Sequence, residues 1–213
     1  DGIVASQKAN NLTTFLNEER EHVFNLQYKS ENFLFLIDHP QVLPFMEHYL
    51  GANMILGNFS ARNPFKEQRF HSDSRPHMEV KSPLRDQTFQ MVAIYLLDDF
   101  LPGAGTRLIP GSNHWEGTPE PGKSYKGVIT LSAPRGSVLV MKAHLWHVGA
   151  ANPTGKRRWA IICYYNMWFI KQTYDMTRDY PEDIVKKCNP RQLQILGFHS
   201  IPPSASVAMT ERI

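Results

Sequence analysis

Between residues 53 and 168 the chain breaks into short apolar runs divided by turn-forming residues. The runs are "NMILGNFSA" (53–61), "FQMVAIYLL" (89–97), "TRLI" (106–109), "KGVITLS" (126–132), "SVLVMKAHLW" (137–146) and "RWAIICYYNMW" (158–168). They are rich in β-branched and aromatic residues, which favour a pleated surface. Clusters such as "DDFLPGAG" (98–105), "PGSN" (110–113), "EPGKS" (120–124) and "NPTG" (152–155) separate them. Many short strands so punctuated predict a β-sandwich or barrel.

The ends of the chain read differently. Residues 11–28 space Leu12, Phe15, Leu16, Val23 and Leu26 in a helical pattern. Residues 39–50 suggest a second helix, with Asp38 as cap, Pro40 in the first turn, Gly51 as stop and, at Pro44, a kink or a division into two short helical pieces. Near the C-terminus Asn189, Pro190 and Gly197 frame "NPRQLQILG" as a third. The prediction is a mainly β fold with flanking α-helices. It forms one domain over 1–213: a helical part (1–51), a β core (about 52–170) and a helical extension (171–213).

Composition narrows the class. A length of 213 residues with 42% hydrophobic and 20% charged residues suits one globular core. No apolar run approaches the roughly 18 residues that span a membrane, and the first residues do not read as a signal peptide. Cys163 and Cys188 are too few for a disulfide framework, so a reducing, cytoplasmic setting is expected. The net charge of +3 comes from scattered Lys and Arg, without the basic stripe of a nucleic-acid binder. The expected partner is a small molecule rather than a nucleic acid or a membrane.

Three fragments carry candidate chemistry. In "FHSD" (70–73), His71 and Asp73 are two residues apart, so on a strand both face one side. An imidazole and a carboxylate suit a borderline divalent metal such as Fe(II). Alone, such a pair more often marks a surface strand end carrying two polar residues. The run "HLWHVGAANPTGKRRW" (144–159) adds His144 and His147, of opposite parity if the strand continues, then Arg157 and Arg158. One arginine faces inward if both begin a strand, and a buried Arg needs an anion. Two His and one carboxylate form the facial triad of non-heme Fe(II) oxygenases, which leaves open coordination positions. A neighbouring Arg suits the remote carboxylate of an α-keto acid.

In these motifs and their order the chain resembles the phytanoyl-CoA dioxygenase family of Fe(II)- and 2-oxoglutarate-dependent oxygenases. The resemblance runs from about residue 38 to 200. "HPQVLPFMEHYLG" is similar to the helix before the family's core and "FHSDS" to its His-x-Asp. "YLLDDFLPGAGTRLIPGSNHWEG" and "APRGSVLVMKAHLWHVGAANPTGKRRWAI" are similar to its following stretches. The family's distal His lies eleven residues before its Arg, which selects His147 and Arg158. The resemblance implies that His71, Asp73 and His147 bind iron and that Arg158 pairs with the C5 carboxylate of 2-oxoglutarate. It gives Thr106, and more weakly Gln68, a part in holding the co-substrate. Arg75 is a candidate contact for an anionic substrate. Asn113 replaces a frequent His, Ile94 a frequent Trp, and Gly149 a frequent Ser.

The implied fold is a double-stranded β-helix, or cupin-like jelly roll, with helices outside the major sheet. The implied reaction consumes O2 and decarboxylates 2-oxoglutarate to succinate and CO2 while oxidising, most simply hydroxylating, an unactivated C–H bond. Desaturation, epimerisation and cyclisation draw on the same residues. A non-catalytic jelly-roll binding module is the alternative from another class. Halogenation generally needs a small residue where this chain has Asp73.

Overall fold

The computed structural model describes residues 14–16, 20–73, 87–178 and 180–199. Among these residues there are nine strands: β1 (Thr14–Leu16), β2 (Arg20–Phe24), β3 (Ile55–Pro64), β4 (Gln90–Leu96), β5 (Thr106–Leu108), β6 (Ile129–Thr130), β7 (Val138–Lys142), β8 (His147–Gly149) and β9 (Ala160–Asn166). They form a six-stranded sheet, β1-β2-β3-β9-β4-β7, and a three-stranded sheet, β6-β5-β8. Every strand pair is antiparallel. Among the described residues four short α-helices accompany them: α1 (Leu34–Ile37), α2 (Leu43–Leu50), α3 (Glu182–Val185) and α4 (Pro190–Leu196). None of the described helices is long and apolar enough to cross a membrane.

Strands β4 and β9 are buried along nearly their whole length because each serves two layers. Met91, Ala93, Tyr95, Ile161, Cys163 and Tyr165 pack with the helices in one core. Their neighbours Val92, Ile94, Leu96, Ala160, Ile162 and Tyr164 belong to a second. Residues i and i+2 share a face, so one face of the large sheet carries the helices and the other looks toward the small sheet. Two tyrosines tie the helical layer down. Tyr95 donates to the Leu36 carbonyl at 2.9 Å, and Tyr165 to the Ile37 carbonyl at 2.9 Å.

Register along β3 is reset by an irregularity between Leu56 and Asn58. Leu56, Phe59 and Ala61 therefore all pack on the helix side, while Asn58, Arg62 and Pro64 line cavities on the other. Gly57 is required there: a Cβ would lie 2.4 Å from Asn166 Oδ1.

Two sequence expectations for the N-terminal part are corrected. The described residues within 11–28 are β1, β2 and a 3₁₀ turn at Leu26–Tyr28, not a helix. Pairing of β2 with β3, from Arg20↔Pro64 to Phe24↔Ser60, overrides the helical spacing. Asn25 then takes a left-handed φ of 54°, which a continuous helix does not allow. The second helix begins at Leu43, so Pro44 lies in its first turn and causes no kink, while Gly51 ends it at φ 81°. The C-terminal expectation holds in detail. Asn189 and Gln192 form a reciprocal capping box, and Gly197 closes α4 in the left-handed region. Trp146 is buried, whereas Trp168 and Phe169 are 37% and 52% exposed.

Candidate metal centre

Residues 71–73 follow β3 through a loop and dock beside β8. His71 and His147 form an isolated antiparallel bridge, and each N–H donates to the other's carbonyl at 3.0 Å. Asp73 N–H donates to the Ala143 carbonyl at 2.9 Å, and Ser72 Oγ donates to it at 3.2 Å. Earlier in the segment, Gln68 N–H donates to the Gly149 carbonyl at 3.2 Å. Residues 68 to 71 thus run against 149 to 147, one residue more than the partner, which is the count of a bulge. That explains how Gln68 and His71 line one cavity despite their odd separation.

His71, Asp73 and His147 present ligand atoms that all lie within 4.8 Å of one another. His71 Nε2 is 3.6 Å from Asp73 Oδ1, and His147 Nε2 is 3.3 Å from Asp73 Oδ2. Both imidazoles are oriented from behind. His71 Nδ1 contacts the Arg69 carbonyl at 2.8 Å, and His147 Nδ1 contacts the Leu145 carbonyl at 2.9 Å. A carbonyl only accepts, so each Nδ1 carries the hydrogen. In the neutral rings each Nε2 is then a lone pair aimed at a carboxylate. Asp73 Oδ2 is buried without a hydrogen-bond partner despite the nearby imidazole. Three converging lone pairs repel one another until a cation lies between them, and this donor set suits a borderline divalent metal.

Protons compete for the same place. Burial by itself would lower the His147 pKa, but the Asp73 charge and the Leu145 carbonyl outweigh it and raise it. Burial would raise the Asp73 pKa, but His147 and His71 hold it below the usual carboxylate value. His71 is lowered, first by burial and then by the nearby His147.

Behind the triad the cavity runs between the two sheets, bounded by Thr106 and Gly149 on one side and Ile94, Ala160 and Ile162 on the other. Arg158 closes it. The residue is 2% exposed. Its backbone N–H donates to Asn63 Oδ1 at 2.9 Å, and Nη2 donates to the Ala150 carbonyl at 2.8 Å. The guanidinium lies 5.4 Å from the centre of the Phe100 ring. Nε and Nη1 are buried without a partner. Burial lowers the Arg158 pKa to about 10, so the group stays charged at neutral pH. A charged fork with unmet donors matches a carboxylate.

The structure thus gathers His71, Asp73, His147, Arg158, Thr106 and Gln68 around one cavity. His144 is buried but stands outside the cluster. The parity that separated it from His147 is replaced by a turn, because β7 ends at Lys142 and β8 starts at His147. Arg157 is exposed while Arg158 is buried. Both precede β9, so neither owes its direction to a strand. Arg75 lies outside the described residues.

Sequence reasoning missed Arg62 and Tyr164. Both line the cavity beside Asp73. Arg62 Nε donates to His22 Nε2 at 3.2 Å. Burial, then Arg62 and Arg20, push the His22 pKa down to about 3, so the ring is a neutral acceptor. Burial raises the Tyr164 pKa, and the phenol interacts with both Asp73 and Arg62. In the sequence Arg62 follows one apolar run and Tyr164 lies within another, and no motif marks either.

Known proteins point the same way as this donor set. Residues 5–160 match the sequence profile of the family described as phytanoyl-CoA dioxygenase (PhyH). The chain belongs to that family. Dioxygenase af480 of Aspergillus fumigatus is 24% identical over 191 residues, which cover 87% of this chain and 61% of that protein. Among solved structures, HygX from Streptomyces hygroscopicus with nickel, 2-oxoglutarate and hygromycin B bound shares the fold at a TM-score of 0.63 and 15% identity, over 81% of each chain. HygX with nickel and 2-oxoglutarate matches at 0.62 and 14%, over 80% of each.

Proposed function

We propose that this protein is an Fe(II)- and 2-oxoglutarate-dependent oxygenase that hydroxylates an unactivated C–H bond of a small molecule. In this reading the chain is one domain and its two facing sheets are a double-stranded β-helix. His71, Asp73 and His147 hold the iron. Arg158 takes the C5 carboxylate of 2-oxoglutarate, with Thr106 and Gln68 along its length. The observation that carries the reading is the pair of unmet demands in one cavity: the buried, unpartnered Asp73 Oδ2 and the unpartnered Nε and Nη1 of Arg158. A divalent cation answers the first and a dicarboxylate the second. Family membership supports the reading, as do the nickel and 2-oxoglutarate bound by HygX.

With O2, the bound iron and 2-oxoglutarate supply the oxidising power, releasing succinate and CO2. The chain supplies position. The Arg69 and Leu145 carbonyls fix the tautomer of each histidine and aim each Nε2 inward. Ile94, Phe100, Ala160 and Ile162 line the cavity and limit water there. Arg158 sets the depth of the co-substrate, because its fork is anchored on Ala150 and its backbone on Asn63.

The test is anaerobic calorimetry with Fe(II), then with 2-oxoglutarate, followed by succinate measurement after O2 is admitted. Expected are metal binding, 2-oxoglutarate binding that depends on Arg158, and slow succinate release without added substrate. Absence of 2-oxoglutarate binding to iron-loaded protein overturns the proposal.

A further inference from the structure

A second cavity, of about 330 Å³, meets the first at Arg62, Asp73 and Tyr164. Its wall exposes more polar surface than the first, with Ile170 as an apolar member. Asn58, Gln90, Asn166 and Thr173 line it, with the cationic Arg62 and Lys171. Gln90 Nε2 donates to Asn166 Oδ1 at 2.7 Å, and Asn166 Nδ2 donates to the Lys171 carbonyl at 3.3 Å. These amides are thereby held in place. Asn58 Oδ1 is buried without a partner.

The charges lead further. Divalent iron and Arg158 together balance Asp73 and dianionic 2-oxoglutarate. Arg62 is then positive charge in excess. Its neighbour His22 is neutral, and among the described residues Arg62 forms no ion pair with a carboxylate. Its Nε is used by His22, while its side chain borders both cavities. Lys171 adds a second cation to the same wall. A positive, polar cavity beside a metal centre attracts an anion and desolvates it in part.

We infer that this second cavity receives the oxidisable substrate, and that the substrate is a small carboxylic acid or comparable anion that also carries a hydrogen-bond donor. Resting on the proposed oxygenase reading, the inference assigns Arg62 and Lys171 to the anionic group and Asn58 Oδ1 to the donor. The unpartnered carbonyl oxygen selects a hydroxyl, amine or amide N–H, because leaving it unmet in a complex is costly. An apolar hydrocarbon would leave Arg62 and Asn58 Oδ1 unmet.

The test is a ligand-observed NMR screen of a fragment set built from matched triplets: a hydroxy acid, its primary amide and the acid lacking the hydroxyl. A representative triplet is 4-hydroxybutyrate, 4-hydroxybutyramide and butyrate. The protein is loaded anaerobically with Fe(II) and saturated with 2-oxoglutarate, so that Arg158 is already occupied. Acids should dominate the binders and exceed their amides by about tenfold or more, as expected for a hydrogen bond to a charged group. Arg62→Gln and Lys171→Gln should each shrink that preference while leaving the amides' weak binding in place, a pattern that general loosening of the wall does not give. Asn58→Leu should remove the advantage of the hydroxyl.

Equal binding of acids and amides, or hits confined to apolar fragments, overturns the inference. So does an Arg62→Gln protein that loses 2-oxoglutarate affinity and keeps the acid preference, since Arg62 then serves the co-substrate. Failure of Fe(II) and 2-oxoglutarate to load is a different result and overturns the oxygenase reading. The charge balance that leaves Arg62 in excess falls with it, so that result overturns this inference as well.

Discussion

His71 and His147 face each other across an antiparallel bridge, with ring centroids 4.4 Å apart. The distance between the two nitrogen donors is therefore set by a reciprocal pair of backbone hydrogen bonds. Asp73 joins them from the same extended segment, held by the Ala143 carbonyl. A site built this way tolerates change in the flanking loops better than change in its own register.

Replacing either histidine by Ala should lower Fe(II) affinity by more than about 100-fold, since even losing a partner behind a ligand costs up to about that much. Asp73→Ala should do the same by removing the one anionic ligand. His144→Ala should retain iron while melting earlier, because the residue is buried outside the triad. Anaerobic calorimetry and a thermal melt read both effects. Normal iron binding by His147→Ala together with its loss in His144→Ala would refute the assignment.

Arg158→Ala should weaken 2-oxoglutarate by a free energy on the order of 2–5 kcal/mol, or roughly 30- to 5,000-fold, with iron binding retained. Lys at this position should rescue little, having no planar fork. Arg157→Ala should change the affinity little, because that side chain is exposed. Titration of all three variants with iron loaded checks this, and equal weakening by Arg157→Ala and Arg158→Ala contradicts it.

Iron affinity should depend on pH through His147, whose pKa is raised in the metal-free protein mainly because Asp73 overcomes the effect of burial. A protonated imidazole cannot ligate. Apparent affinity should fall about tenfold per pH unit below that pKa and level off above it, with proton release on binding. In the metal-free protein the sign reverses. The raised pKa stabilises the fold fully below the unfolded value of 6.5, and the gain is lost as pH rises through the folded value. Calorimetry in buffers of different ionisation enthalpy counts the protons, and zero release over the whole range contradicts the scheme.

His22 should make the fold acid-sensitive. Its pKa falls from 6.5 in the unfolded chain to about 3 when buried beside Arg62. Between these values only the unfolded chain binds the proton, so stability is full above about pH 6.5 and declines as pH falls toward 3. His22→Gln keeps an acceptor for Arg62 and removes the titration. Its melting temperature should vary less over that window than that of the parent protein, and parallel curves would rule His22 out.

The core and the candidate site were legible in the sequence for different reasons. Each long apolar run became a strand, since β4 and β9 are buried on both faces and need no polar alternation. The pair of His71 and Asp73 was readable because residues two apart share a side, and His147 and Arg158 through the family's spacing. The N-terminal segment was misread because β2 pairs with β3, a partner some forty residues away, as in His22↔Arg62. Arg62 and Asn58 were invisible for a related reason. The shift after Leu56 decides which way β3 side chains point, and no local pattern announces it.

The alternation along β4 and β9 has an evolutionary consequence. Ile94 and Ile162 shape the interior space, while the adjacent Ala93, Tyr95, Ile161 and Cys163 support the helices. Two selective pressures are thereby interleaved on single strands. Descendants of this chain can remodel what fits inside by changing every second residue and inherit an untouched foundation. Diversity among relatives should concentrate on one set of positions in each strand, with constancy on the set between them.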